Sequence, residues 1–177
     1  MKVLLSLFII LPLVLFTSSV KAEGAIALPQ YSKVYDDQRS PFDDAKAALA
    51  LAKATNRQVL IEIGGNWCSW CHKMDAFLDA NSDVYQALHE NYVLLKINVS
   101  DSNENEAFMA SLPPVLGYPH MYVSNANGKM LLSKDTAELL SGNDYSRENW
   151  LTFLNQWSVI DEKNMPEANI DTRQGTK

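Results

Sequence analysis

Both cysteines of the chain lie in the stretch Trp67-Cys68-Ser69-Trp70-Cys71-His72, separated by two residues. An apolar run, Val59–Ile63, precedes this stretch and is followed by a Gly64-Gly65-Asn66 break. Apolar residues at helical spacing begin at Met74. The pattern predicts a strand, a tight loop and then two cysteines at the start of a helix. This arrangement is suited to thiol redox chemistry.

A cysteine in the first turn of a helix has an unusual electrostatic environment. The unpaired backbone N–H groups of a helix N-terminus carry partial positive charge. That field favours a thiolate over a thiol, so Cys68 is predicted to be nucleophilic near neutral pH. Cys71 follows one helical turn later, within reach of an intramolecular disulfide.

The composition indicates a single globular domain. The chain has 177 residues, of which 47% are hydrophobic and 10% aromatic. It carries 15 basic residues against 21 acidic residues and contains no basic run. This charge balance argues against nucleic-acid binding.

The first 22 residues resemble an export signal in their charge and apolar pattern. Lys2 supplies the positive start, Val3–Phe16 the apolar centre, and Val20-Lys21-Ala22 a cleavage site. The apolar centre is short for a membrane span, although an uncleaved anchor is the alternative interpretation. We therefore expect a cleaved signal peptide over residues 1–22 and a periplasmic or secreted protein.

Export affects how the two cysteines are interpreted. In an oxidising compartment, paired cysteines usually form structural crosslinks. The loop closed by Cys68 and Cys71 is too short to constrain much of the unfolded chain. No other cysteine is available as a partner. The pair is therefore predicted to be redox-active.

The remaining pattern predicts an N-terminal arm over 23–40, a domain over 41–157 and a polar tail over 158–177. Within the arm we expect a short edge strand at Ser32–Tyr35. The order of elements predicts an α/β fold, a mixed central sheet with helices on both faces. The predicted strands are Val59–Ile63, Tyr92–Val99, His120–Val123 and Met130–Ser133, and the predicted helices begin at Pro41, Cys68, Asp83, Asn105 and Arg147.

Over residues 42–157 the chain resembles the thioredoxin superfamily. Within it, the chain is most similar to an exported thioredoxin-like branch with a W-C-x-W-C-H-x-M motif, here Trp67–Met74. The resemblance implies the thioredoxin fold and thiol–disulfide oxidoreductase activity. Thioredoxin itself has Gly-Pro between its cysteines, whereas this chain has Ser69-Trp70. That pair affects the reduction potential, so the direction of electron flow stays open.

Two charged residues within predicted strands match positions of the family. Glu62 lies where family members carry a buried acid, which accepts the proton of the second cysteine. Lys96 matches a strand lysine that family members place near that acid. The alternatives are a half-exposed Glu62 on a strand edge and a Lys96 that reaches to the surface.

The resemblance also implies a substrate-binding surface. Gly117-Tyr118-Pro119 matches a G-x-P site whose proline is cis and faces the cysteine pair. The family binds substrate through the backbone before that proline, a role that falls on Tyr118 here. Trp67 would border the nucleophile, and an exposed Trp70 would offer an apolar contact to a polypeptide.

Residues 68–72, Cys-Ser-Trp-Cys-His, also match the attachment signature of c-type haem. In that interpretation His72 is one axial ligand and Met109 or Met121 is the second. Small c-type cytochromes are mostly helical, whereas the strand before the motif and the G-x-P site favour the thioredoxin resemblance.

A soft-metal carrier is another alternative. Cys68, Cys71, His72 and Met74 offer sulfur and imidazole ligands that suit copper(I) or zinc. Such a module has no need of Glu62 or of a cis proline. Otherwise His72 is expected to face solvent and Met74 to pack inward.

We interpret the chain as an exported thiol–disulfide oxidoreductase that reduces or isomerises protein disulfides. No metal or organic cofactor is expected, because the pair Cys68–Cys71 carries the electrons. The expected partners are disulfide-containing exported proteins and a membrane or periplasmic thiol–disulfide electron donor. We expect a monomer.

Overall fold

The computed structural model describes residues 27–159 of the chain. The predicted signal peptide, and the predicted tail beyond residue 159, lie outside the described residues. Within 27–159 the α-helices are α1 Pro41–Thr55, α2 Ser69–Ala80, α3 Ser82–Asn91, α4 Glu106–Met109 and α5 Arg147–Gln156.

The central sheet has the strand order β2-β1-β3-β4. Its strands are β1 Gln58–Gly64, β2 Tyr92–Asn98, β3 His120–Ser124 and β4 Met130–Asp135. Strand β1 pairs parallel with β2 and antiparallel with β3, and β3 pairs antiparallel with β4. The predicted mixed sheet is therefore confirmed.

Helix starts follow the capping residues that the sequence supplies. Ser40 and Ser146 accept hydrogen bonds from backbone N–H groups at the starts of α1 and α5, both at 3.3 Å. Pro41 occupies the first position of α1, where its missing N–H has no helical partner to lose. Helix α1 ends at Asn56, whose left-handed backbone has φ of 52°.

Strand alternation divides the core into two faces of the sheet. Helices α2, α3 and α5 cover one face and helices α1 and α4 the other. The first face contains the buried side chains of Leu60, Met74, Leu88, Leu94, Trp150 and Leu154, among others. The second face contains those of Ala48, Ala52, Ile61, Ile63, Leu95 and Tyr122, among others. Residue 62 of β1 and residue 96 of β2 therefore share a face with Leu60, Leu94 and helix α2.

The arm differs from its prediction. The expected strand at Ser32–Tyr35 is wrong, because the described part of the arm forms a single 3-10 turn over Gln30–Ser32. Its side chains, rather than its backbone, attach it to the sheet. The Ser32 hydroxyl donates a 2.5 Å hydrogen bond to the carbonyl of Leu94 on edge strand β2, and Tyr31 and Tyr35 are buried.

Two further differences lie in the second half of the chain. Helix α4, predicted over Asn105–Leu112, spans only Glu106–Met109. Asn105 has a left-handed backbone with φ of 49° and is its N-cap rather than its first helical residue. A 3-10 turn at Thr136–Leu139 and a hairpin of β5 Leu140–Ser141 with β6 Asp144–Tyr145 were not predicted. None of the helices in residues 27–159 combines the length and apolarity that crossing a bilayer requires.

His89 generates a prediction about stability in acid. Its ring is 4% exposed and packs edge-on against Tyr85, and burial lowers the pKa of His89 to about 4, with Arg57 and Lys96 adding to the effect. Between the ordinary value of 6.5 and about 4, the unfolded chain binds a proton here that the folded chain does not. The free energy of unfolding should therefore fall as the pH falls through this window.

The test is urea unfolding of the wild type and of His89→Gln at several pH values across that window. We expect a flatter pH dependence for His89→Gln, because it lacks the titrating group while all carboxylates are retained. Equal slopes for the two proteins would contradict the prediction.

Candidate active site

The cysteine pair lies where β1 passes into α2. Strand β1 ends at Gly64, and Cys68 is the N-cap residue of α2. Cys68 and Cys71 form a disulfide with their Cα atoms 5.3 Å apart. The Sγ atom of Cys68 accepts a 3.1 Å hydrogen bond from the backbone N–H of Cys71. That donor and the helix N-terminus would stabilise a thiolate on Cys68 in the reduced protein.

Side-chain hydrogen bonds hold the loop before the pair. Asn66 donates from its side chain to the carbonyl of Tyr35 at 3.0 Å, and the His72 ring donates to the carbonyl of Asn66 at 2.8 Å. The Trp67 indole donates to the carbonyl of Val99 at 2.6 Å. The loop is thus tied to the arm, to helix α2 and to the end of β2.

Glu62 is buried on the α2 side of the sheet, where Tyr35 links it to the cysteine pair. It is 1% exposed, which rules out the alternative of a half-exposed glutamate on a strand edge. Its carboxylate accepts a hydrogen bond from the Tyr35 hydroxyl. Burial raises the pKa of Glu62, while Lys96 acts in the opposite direction.

Lys96 lies directly beside Glu62, as its partner in the parallel register of β1 and β2. Its side chain is 3% exposed, so the alternative of a lysine that reaches to the surface is wrong. Its ammonium group pairs with Asp75 at 2.5 Å and lies 5.0 Å from the centre of the Tyr35 ring. Burial alone would lower the pKa of Lys96, but the carboxylates of Glu62 and Asp75 raise it overall.

Tyr35 is a site residue that the sequence analysis missed. It is 4% exposed and packs with Cys68 and Cys71 in one buried cluster. A Cβ atom on Gly64 would lie 2.6 Å from both the Cys71 Sγ and the Tyr35 hydroxyl oxygen. No motif or spacing connects the arm to the cysteine pair in the sequence.

Asp75 was also missed, although the sequence does contain a signal for it. It follows Cys71 by four residues, which places both residues on one side of α2. A buried Lys96 needs an acidic partner, and the side of α2 that faces the sheet can supply one. The charged groups of the site are therefore the buried Glu62 and Lys96 and the partly exposed Asp75.

Aromatic residues surround the outer side of the disulfide. Trp67 is 57% exposed and Tyr118 is 37% exposed, and their rings meet edge to face at 5.2 Å. The Tyr118–Pro119 peptide bond is cis, as the resemblance implies. Trp70 is 39% exposed, with the Lys73 ammonium 4.5 Å from its ring centre.

A groove extends from Trp67 and Tyr118 toward α4. Its apolar wall includes Val99, Met109 and Val115, and its rim carries the exposed carboxylates of Asp101, Glu104 and Glu106. Together with the two aromatic rings, it offers a polypeptide both apolar and polar contacts beside Cys68.

Two residues of the soft-metal alternative lie in different environments. Met74 is completely buried in the core, whereas His72 is exposed at the surface, as expected for both. No cluster of three or more His, Cys, Asp or Glu side chains suited to a metal occurs among residues 27–159. The mixed sheet likewise does not fit the mostly helical fold expected of a small c-type cytochrome.

Comparison with known proteins places these features among thiol–disulfide proteins. A family model described as thioredoxin-like matches residues 40–126. The thiol:disulfide interchange protein DsbD of Klebsiella pneumoniae is 30% identical over 108 residues, which are 61% of this chain and 18% of that protein. DsbD of Pseudoalteromonas atlantica is 25% identical over 113 residues, which are 64% of this chain and 18% of that protein.

The chain therefore spans less than a fifth of the length of these two relatives. Among solved structures, the disulphide isomerase from Xylella fastidiosa Temecula1 is similar, with a TM-score of 0.59 and 25% sequence identity. The match covers 75% of this chain and 98% of that one. The similarity thus extends over nearly the whole of that isomerase.

The close contacts at Gly64 predict that any side chain at this position lowers the stability of the oxidised protein. The Cys71 Sγ is fixed by its disulfide and the Tyr35 hydroxyl by Glu62, so neither can move away easily from a new Cβ atom. We expect Gly64→Ala to lower the free energy of unfolding of the oxidised protein by about 1–3 kcal/mol, the cost of overpacking.

Gly117→Ala is the matched control, because a Cβ atom at Gly117 would have no neighbour within 4 Å. We expect its effect on the free energy of unfolding to stay within about 0.5 kcal/mol. Urea unfolding of both variants measures the difference, and equal stabilities would disprove the steric argument.

Proposed function

We propose that the chain is a thiol–disulfide oxidoreductase of the thioredoxin superfamily that reduces or isomerises disulfides of exported proteins. The observation that supports this best is the Cys68–Cys71 disulfide at the start of α2, which Tyr35 links to the buried Glu62. The relatives named as interchange proteins and the isomerase support the same reaction class. The finer assignment to reduction or isomerisation is our proposal.

The reaction proceeds by two exchanges of sulfur partners. The Cys68 thiolate attacks one sulfur of a substrate disulfide, forms a mixed disulfide and releases the other substrate sulfur as a thiolate. The Cys71 thiolate then attacks the Cys68 Sγ and forms the internal disulfide. The bond between Cys68 and the substrate breaks, and the substrate sulfur leaves with that electron pair. The substrate gains two electrons and the cysteine pair loses two.

Glu62 acts as the proton acceptor for the second exchange. Cys71 is completely buried, so its thiol needs a base inside the protein before it can attack. Burial raises the pKa of Glu62 toward the range in which a carboxylate takes up a proton during catalysis. Lys96 limits that rise, since its ammonium favours the charged carboxylate.

The substrate binds across the aromatic surface beside Cys68. The backbone of Tyr118, before cis Pro119, would pair with the substrate chain, while Trp67 and Trp70 would contact its apolar side chains. These exposed aromatic rings suit polypeptide substrates of varied sequence, because apolar contacts of this kind have little directional requirement.

The protein works outside the cytoplasm, after export by the signal over residues 1–22. It acts as a monomer and uses no cofactor besides its own cysteine pair. In an oxidising compartment the pair performs reduction only if a thiol–disulfide donor returns electrons to it. A membrane or periplasmic protein of that class is the proposed electron donor.

Serine variants of the two cysteines test their assigned roles. Cys68→Ser should abolish reduction of a model protein disulfide, because it lacks the attacking thiolate. Cys71→Ser should instead accumulate mixed disulfides with substrate, since the first exchange occurs and the second cannot. Non-reducing electrophoresis with mass spectrometry measures the adducts. Accumulation by Cys68→Ser and not by Cys71→Ser would reverse the assignment.

The reduction potential tests the direction of electron flow. Strongly oxidising family members carry a histidine next to the second cysteine, whereas this chain has Trp70, which brings no charge. Weaker stabilisation of the Cys68 thiolate makes the disulfide harder to reduce. We expect a potential below about −180 mV, nearer the roughly −270 mV of thioredoxin than the about −120 mV of the strongest oxidant.

Equilibration of the pair with glutathione redox buffers measures this potential. His72 opposes the expectation, because an imidazolium near the helix start would favour the Cys68 thiolate. A potential well above about −180 mV, the level of protein disulfide isomerase, would replace the proposed reductase with an oxidase.

A further inference from the structure

The Tyr35 hydroxyl lies near both partners of the proposed proton transfer. It donates a hydrogen bond to the Glu62 carboxylate. It also lies close to the Cys71 sulfur, because one point beside Gly64 is 2.6 Å from each of the two atoms. The oxygen and the sulfur are therefore at most twice that distance apart.

Bulk water has little access to these three groups. Cys71 is 0% exposed, Glu62 1% and Tyr35 4%. A proton that leaves the buried Cys71 thiol therefore needs a route through protein groups. The Tyr35 hydroxyl can accept a hydrogen bond from the thiol while it donates to the carboxylate, since a phenol is both acceptor and donor.

The charged surroundings keep Tyr35 in its neutral form. Burial, followed by the neighbouring Glu62, raises the pKa of Tyr35 well above its ordinary range, and Asp75 and Tyr145 act in the same direction. The Lys96 ammonium lies over the Tyr35 ring, but it is paired with Asp75. Tyr35 should therefore release its proton only as it takes up another, so that no tyrosinate anion accumulates.

We propose that Tyr35 is a proton relay between Cys71 and Glu62, which deepens the proposed function and rests on it. In the second exchange, the Cys71 S–H proton passes to the Tyr35 oxygen while the Tyr35 O–H proton passes to the Glu62 carboxylate. Cys71 becomes a thiolate, Tyr35 is neutral again and Glu62 becomes a carboxylic acid. The thiolate then displaces the substrate sulfur from Cys68, as balanced above.

The relay is contributed by the N-terminal arm. Tyr35 precedes the part of the chain that the family model matches, residues 40–126. The arm is fixed beside the pair by the Asn66 side chain, which donates to the Tyr35 carbonyl, and by Ser32, which donates to the carbonyl of Leu94. The arm therefore contributes a residue to the site.

Stopped-flow reaction of the reduced protein with one equivalent of dithiobis(nitrobenzoate) separates the two exchanges. Attack by Cys68 releases the first coloured thiolate, and attack by Cys71 on the mixed disulfide releases the second. At neutral pH we expect Tyr35→Phe to keep the rate of the first release. The second release should slow about 100-fold, the low end of what a positioned proton-transfer group contributes.

The pH profile separates a relay from a structural role. In the wild type the second release should accelerate as pH rises through the titration of Glu62, because only the carboxylate accepts a proton. In Tyr35→Phe that rise should be lost. The second release should then be slow and should increase with pH only as the Cys71 thiol itself ionises. Glu62→Gln should show the same loss, and the double variant should be no slower than the slower single variant.

Tyr92→Phe is the matched control. Tyr92 is also fully buried, and its hydroxyl donates to the carbonyl of Leu154 at 2.8 Å, away from the pair. We expect some loss of stability and unchanged rates of both releases. A proton inventory on the wild type in mixtures of H₂O and D₂O adds a test that needs no variant, since the relay moves two protons in the second exchange.

Three outcomes would overturn the relay. One is an unchanged second release in Tyr35→Phe, and another is an inventory with a single proton in flight. The third is a profile of Tyr35→Phe that moves to higher pH with its upper plateau retained, because Tyr35 would then only adjust the pKa of Glu62. A wild type that releases one thiolate instead of two would overturn the proposed function as well, so the two failures are distinguishable.

Discussion

A buried carboxylate on the central strand is the constraint on which the rest of the site depends. A charged glutamate within a sheet is costly unless other groups replace the water it loses. Here Tyr35 supplies a hydrogen bond and Lys96 supplies a positive charge from the adjacent strand. Lys96 is itself buried and needs Asp75 on α2. One acidic residue in β1 thus fixes which groups the arm, β2 and α2 must present.

This chain of partners also restrains the site where it meets the disulfide. Each polar group is held by the next, and the groups belong to four separate elements of the chain. The cysteine pair rests on them through the contact of Tyr35 with Cys68 and Cys71. Polar networks of this kind strengthen one another in a low dielectric, so the geometry is set before a substrate arrives.

Two buried charged residues of the site could be predicted from the sequence. Glu62 could be placed because apolar residues on both sides of it predict a buried strand. Lys96 could be placed because the resemblance implies a strand lysine near that acid. Tyr35 could not be placed, because its contact with Glu62 depends on the path of an irregular arm 27 residues away. The hairpin of β5 and β6 escaped prediction because two-residue strands show no periodicity.

The arm has a second consequence at the edge of the sheet. Strand β2 is an edge strand, and a bare edge presents backbone groups that can pair with any extended polypeptide. The Ser32 hydroxyl donates to one of these groups, the carbonyl of Leu94. The buried Tyr31 packs in one cluster with Val93 and Leu95 of the same strand. Covering this edge discourages strand pairing with other extended chains, and it leaves the aromatic surface beside Cys68 as the exposed apolar contact site.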